Sequence, residues 1–140
     1  MFVVGIVIVA GCKQPPPPSP NGPASGSGWE VRYDAVLALA HRGSDKFLDP
    51  VVLDLVQEML DEEQQLRNFR VTLKSGQEVT NAQAARMAIL GTISSVRDFH
   101  EKKPTADLKP IGPAIDKLTK SQIPVIAKEA RALAESLSAK

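Results

Sequence analysis

WEVRYDAVLALAHRG, residues 29–43, decides the character of this chain. Alanine and leucine dominate it, and both are strong helix formers. Val31, Ala35, Ala38 and Leu39 recur at helical spacing and predict one apolar face. Ser27 with Glu30 gives a capping-box pattern at the start, and Gly43 supplies the left-handed residue that ends a helix. The same punctuation continues downstream. Asp49 caps and Pro50 fills the first helical position of VVLDLVQEMLDEEQQL, with Val52, Leu55, Val56, Met59 and Leu60 as its stripe.

Thr80 with Gln83 opens a third helix, NAQAARMAILGTISSVRDFHEKK, with Ala84, Ala88, Ile89, Ile93, Val96 and Phe99 on one face and Pro104 as its stop. LKPIGPAIDKLTKS predicts a shorter fourth helix carrying Ile111, Ile115 and Leu118, with Pro110 and Pro113 in its first turn. Ser121 caps a fifth, with Pro124 in its first turn and Ile126, Ala130, Leu133 and Leu137 along its face. Between the second and third helices, FRVTLKSGQEVT (69–80) alternates Phe69, Val71 and Leu73 with polar residues around Ser75-Gly76, which predicts a small hairpin-like insertion or an extended loop. A two-stranded element is marginal alone, so it is expected to pack on helices. The expected class is all-α, with five helices that must bury their stripes against one another.

Residues 29–45, WEVRYDAVLALAHRGSD, resemble the first helix of a HEAT-type repeat through Val31-Arg32, Ala35, Ala38, Leu39 and Gly43. PVIAKEARALAESL resembles the start of another unit, through Pro124, Ile126, Ala130 and Leu133, and AARMAILGTISSV a weaker middle copy. The resemblance implies a short α-solenoid, in which helical hairpins stack and offer a protein-binding surface. The hairpin-like insertion stretches the period beyond the roughly 40–47 residues of that family. A closed helical bundle is the alternative architecture.

The N-terminus carries a different signal. Phe2 to Ala10 is apolar and uncharged, too short for the roughly 20 residues that span a bilayer, but suited to the core of a signal peptide. No Lys or Arg precedes it. Val9, Ala10, Gly11 and Cys12 resemble the lipobox of bacterial lipoproteins: an aliphatic residue, two small residues, then cysteine. That resemblance implies that residues 1–11 are a leader and that Cys12 carries a membrane lipid. The competing reading is a buried N-terminal strand with Cys12 as a small hydrophobe. Pro15, Pro16, Pro17, Pro18, Pro20 and Pro23, followed by a Gly/Ser stretch, then make residues 12–28 a spacer with polyproline II character, with a proline ligand for an SH3-like partner as the lesser reading. Residues 29–140 form the helical domain. The expected address is the bacterial cell envelope, lipid-anchored on the periplasmic face or the cell surface.

The chain has one cysteine, so no intrachain disulfide and no multi-cysteine metal site can form. Its net charge of +1 gives no general case for nucleic acid. The charge is unevenly spread: residues 102–140 carry eight Lys/Arg and four Asp/Glu. Within them Lys109, Lys117, Lys120 and Lys128 form a candidate interaction surface for anionic headgroups or an acidic partner, with a solvated helix face as the plainer reading. His41 reads as a cation at a helix end. Ser94-Ser95 has no histidine at a recognisable offset, and Asp98, His100 and Glu101 lack metal-ligand spacing. Asp61, Glu62 and Glu63 read as an acidic helix face, and Trp29 and Tyr33, at i and i+4, as core or capping residues, with an exposed aromatic contact as the alternative. No phosphate-binding loop or dinucleotide fingerprint is present. No catalytic residue, cofactor or metal is therefore expected. The sequence points instead to a non-catalytic, membrane-anchored scaffold for an unidentified protein partner, with homo-oligomerisation compatible with a short stack. A spacer between membrane and cell wall, and a small envelope enzyme or inhibitor on a bundle, are the alternatives.

Overall fold

A computed structural model describes residues 28–138. The leader, Cys12, Ser27 and most of the spacer lie outside the described residues, as do the last two residues. The order is α1 (Trp29–Arg42), a 3-10 turn (Asp45–Leu48), α2 (Pro50–Met59), α3 (Glu62–Asn68), β1 (Arg70–Thr72), β2 (Glu78–Thr80), α4 (Ala82–Lys102), a second 3-10 turn (Lys109–Ile111), α5 (Gly112–Leu118) and α6 (Pro124–Ser138). The class is helical, as the patterning requires, with a single small hairpin among the described residues.

Several boundaries follow directly from the punctuation. At the end of α1, Gly43 adopts φ 65°, and its N–H bonds the Ala40 carbonyl while Ser44 N–H reaches back to Leu39, the paired bonds of a Schellman ending. Asp49 accepts from Val51 N–H and Pro50 begins α2. α4 ends at Lys102, before Pro104. Ser75-Gly76 turns the hairpin, with Gly76 at φ 88° and its N–H bonded to the Leu73 carbonyl.

Other boundaries differ from the sequence expectation. The second helix is two helices: the chain leaves helical geometry at Asp61 (ψ 113°), whose carboxylate accepts from Glu63 and Gln64 N–H groups and starts α3. Asp61 is thus a cap and not part of an acidic face. Gly28 stands at the N-cap position of α1, and Asn81, not Thr80, caps α4 by accepting from Ala84 N–H. The fourth helix is a 3-10 turn followed by α5, so Lys109 and Lys120 lie outside the α-helix itself. Ser121 accepts from Ile123 N–H, while the Ile123 carbonyl receives the first bond of α6.

The apolar faces also rotate relative to expectation. α1 buries Trp29, Tyr33, Val36 and Ala40, whereas Val31 is 74% exposed and Ala35 faces solvent. α2 centres on Leu53, Val56 and Met59, with Val52 and Leu55 only half-buried. α4 buries Ala85, Ile89, Thr92, Ile93, Ser95, Val96 and Phe99, so Ala85 takes the place expected of Ala84. In α1 the large rings decide the rotation, because burying Trp29 and Tyr33 removes the most apolar area from water. Ile111, Ile115 and Leu118, and Ile126, Ala130 and Leu133, are buried as expected.

One core joins all of this. α4 runs through the middle and packs against α1, α2, α3 and α6, while α5 packs on α6. Phe47, from the first 3-10 turn, meets Phe99 of α4 with centroids 4.5 Å apart. Arg97–Glu129 ties α4 to α6, and Ser121 donates to Glu62 to join the start of α6 to α3. The hairpin pairs Arg70 with Thr80, Val71 with Val79 and Thr72 with Glu78. Contrary to expectation it stands largely in solvent, with Val71 and Leu73 exposed. It is held at its base by Phe69 against Trp29 and by Asn81 N–H on the Phe69 carbonyl.

Candidate functional site

Lys109, Lys117, Lys120 and Lys128 are all exposed, and none forms an ion pair among the described residues. Lys117 and Lys128 lie on the sides of α5 and α6 opposite the buried residues, as helical spacing from Ile115 and Leu118, and from Ile126, Ala130 and Leu133, requires. Lys109 lines a cleft of about 450 Å³. Leu108, Ile115, Ala134 and Leu137 contribute its apolar surface, and His100, Asp107, Lys109 and Asp116 its charged or polar surface. Nδ1 of His100 is buried, with no hydrogen-bond partner among the described residues.

A second cleft, about 360 Å³, opens at the start of the domain. Trp29, Tyr33 and Phe69 form its aromatic side, Met59 adds an apolar contact, and the exposed Glu30 and Asp34 bring two carboxylates. The Trp29 ring lies 5.1 Å from Tyr33 and 4.9 Å, edge-on, from Phe69. Tyr33 is anchored behind this surface. Its hydroxyl donates to Glu58 Oε2 at 2.6 Å and accepts from Gln65 at 3.1 Å and Asn68 at 2.8 Å. Burial, reinforced by the Glu58 acceptor, pushes the phenol up to about 12. Trp29 and Tyr33 therefore are core residues, as expected, and they also line the wall of a cleft, which the alternative reading of an aromatic contact anticipates in part. The signal available in the sequence is Trp29, Tyr33 and the adjacent acidic pair Glu30 and Asp34 on one helix, but Phe69 arrives from another element.

The third constellation is invisible at the level of sequence offsets. Ser95 Oγ lies 3.2 Å from His41 Nε2, and His41 Nδ1 lies 2.7 Å from Asp98 Oδ2. This is the connectivity of a Ser–His–Asp relay. Its setting differs from that of a nucleophile. Ser95 is 3% exposed, sits inside a helix, and its hydroxyl is 2.9 Å from the Gly91 carbonyl, a back-bond to the preceding turn. None of the three lines either cleft. The chain of bonds instead fastens the C-terminal turn of α1 to the middle of α4. His41 thus holds a partner in addition to its position at a helix end. Asp98 is held below the usual carboxylate range, first by the His41 hydrogen bond and then by Lys102.

Among the described residues no three His, Cys, Asp or Glu are grouped to hold a metal ion, and no helix is long and apolar enough to cross a membrane. Cys12 lies outside the described residues. Comparison with family models, curated proteins and solved structures finds no match to this chain.

Proposed function

We propose that this protein is a lipid-anchored docking module of the bacterial envelope: Cys12 fixes it to a membrane, residues 13–28 space it from the surface, and the helical body binds a protein partner without turnover. The observation that carries the binding half is the cleft containing Lys109. It combines an apolar surface from Leu108, Ile115, Ala134 and Leu137 with Lys109 and the carboxylates of Asp107 and Asp116. A hydrophobic anchor with convergent polar groups is the composition of a recognition site. The exposed Lys117, Lys120 and Lys128 belong to the same basic C-terminal part of the chain, which favours a partner presenting an apolar side chain beside acidic residues.

The architecture behind this reading is a helical domain centred on α4, read as a short HEAT-like stack with a closed bundle as the alternative. In a linear HEAT-like stack each hairpin touches only its neighbours. Here α4, the middle copy of that resemblance, packs on α1 and α6 on either side of it, a pattern that a short stack and a closed bundle share. The anchor rests on the order Val9-Ala10-Gly11-Cys12 followed by the proline-rich spacer.

The test is metabolic labelling of the full chain with a clickable fatty acid, beside Cys12→Ser. Label on the native chain and its co-sedimentation with membranes are expected, both lost in the variant. An unlabelled native chain that stays out of the membrane fraction overturns the anchor. For the binding half, a photo-crosslinking residue replaces Leu137 in the anchored chain. A discrete adduct that disappears in the Lys109→Glu, Lys117→Glu, Lys120→Glu, Lys128→Glu chain is expected; an adduct indifferent to those charges overturns the docking assignment.

A further inference from the structure

The cleft beside Trp29 lies apart from the Lys109 cleft and has a different composition. Three aromatic rings, Trp29, Tyr33 and Phe69, contribute to one concave surface, and Glu30 and Asp34 add two carboxylates. Aromatic-lined grooves are how proteins recognise polyproline II segments. A proline ring offers a flat apolar face to the aromatic surface, and the segment is already stiff, so little conformational entropy is lost on docking. Acidic residues beside such a groove favour a basic residue flanking the prolines.

The chain itself contains such a ligand. Residues 13–23, KQPPPPSPNGP, hold six prolines, one lysine and no acidic residue. They are followed by ASGSG, residues 24–28, which leads directly into Trp29. A Gly/Ser-rich connector of n residues has a typical end-to-end reach of about 5–6 Å × √n, so five residues cover roughly 12 Å and can fold back on the helix start. Tethering at this range gives an effective concentration of about millimolar, so even a weak intrinsic affinity yields substantial occupancy.

We propose that the Trp29–Tyr33–Phe69 cleft is a polyproline-binding groove and that its occupant is this chain's own residues 13–23, with Lys13 directed to Glu30 and Asp34. The spacer then has two states. Docked, it draws the domain toward its attachment point; released, it extends at about 3.1 Å per proline-rich residue and leaves the groove free. This holds whether or not Cys12 carries a lipid.

Trp29 is the only tryptophan in the chain, so its fluorescence reports this groove alone. The full chain is compared with a full chain carrying Pro15→Ser, Pro16→Ser, Pro17→Ser, Pro18→Ser and Pro20→Ser, which leaves the helical body untouched. The substituted chain is expected to show a collisional quenching constant for acrylamide about twofold higher, and synthetic KQPPPPSPNGP to restore protection saturably. The same peptide should bind the native chain at least about tenfold more weakly, because the groove is mostly occupied. Equal quenching of the two chains with no saturable peptide effect overturns the proposal. So does protection by tetramethylammonium but not by the peptide, which would make the cleft an organic-cation site. Protection that rises with chain concentration would assign the occupant to a second copy and overturn docking within one chain. Undiminished peptide affinity in a Glu30→Gln, Asp34→Asn chain with the serine substitutions would overturn the placement of Lys13.

Discussion

The Tyr33 hydroxyl donates to Glu58 Oε2 at 2.6 Å while accepting from Gln65 and Asn68, so one phenol on α1 links residues of α2 and α3. Gln65 is fully buried, and its Oε1 has no hydrogen-bond partner. Tyr33→Phe would remove the acceptor that Gln65 and Asn68 share and leave Glu58 without its donor. The expected cost is roughly 1–3 kcal/mol, since buried polar groups lose partners without regaining water. For a domain of this size that is a fall in Tm of several degrees, about 4–8 °C per kcal/mol, readable by circular dichroism. An unchanged Tm would show that this network is not part of the folded core.

The same residue sets an alkaline limit. Its folded pKa is raised from 10 to about 12, so the neutral phenol is favoured by folding. A raised folded pKa contributes stability that is complete below about pH 10 and lost as pH rises through the interval to about 12. The native chain should lose roughly 2–3 kcal/mol over that interval, and Tyr33→Phe should lose less. Urea midpoints measured from pH 8 to 12 on both chains check the difference; parallel curves would contradict it.

Asp98 gives the opposite sign. Its carboxyl is held low by the His41 hydrogen bond and by Lys102. A depressed folded pKa contributes stability that is present above the ordinary carboxylate range and lost as pH falls through the folded value. Asp98→Asn should therefore lower stability at neutral and alkaline pH and flatten the acid side of the profile, the two chains converging as pH falls through the folded value. NMR titration of the Asp98 carboxyl in a His41→Phe chain should move it back toward the ordinary range; a titration identical to that of the native chain would remove His41 as the principal cause.

Two glycines differ in what a side chain would cost them. Gly43 sits at φ 65°, and a Cβ there would lie 3.1 Å and 3.2 Å from Lys102 Cδ and Cβ. Gly43→Ala should cost about 1–2 kcal/mol through left-handed strain and the displaced α4 end. Gly91, inside α4, has open space at its Cβ position, so Gly91→Ala should be neutral or stabilising by up to about 1 kcal/mol. Denaturant midpoints of the two variants should move in opposite directions or differ by that margin. Equal destabilisation would refute the assignment.

Local punctuation is the part of the fold most legible in the sequence. Asp49-Pro50, Gly43, Pro104 and Ser75-Gly76 act through their own backbone chemistry, and each punctuates the chain where its chemistry predicts. Helix faces are less legible. In α1 Val31, Ala35, Val36, Leu37, Ala38, Leu39 and Ala40 surround much of the helix, so several neighbouring stripes satisfy the same period. Burial of Trp29 and Tyr33 against Phe69 selects one of them and leaves Val31 in water. Likewise Asp61 reads as one acidic residue among three, and only the break between α2 and α3, with α3 packed on α4, shows it as a cap.

By itself the sequence determined the helical class, the principal stops and starts, and the apolar run, lone cysteine and proline-rich segment that precede the domain. These are local properties, set by φ/ψ preference, composition and spacing within a few residues. The tertiary structure alone decided which faces meet, that α4 stands at the centre, and that His41 reaches Ser95 and Asp98 across more than fifty positions of sequence. It also decided that Phe69 joins Trp29 and Tyr33 at one cleft. Contacts between distant segments depend on how side-chain volumes fill a shared core, and no local pattern carries that information.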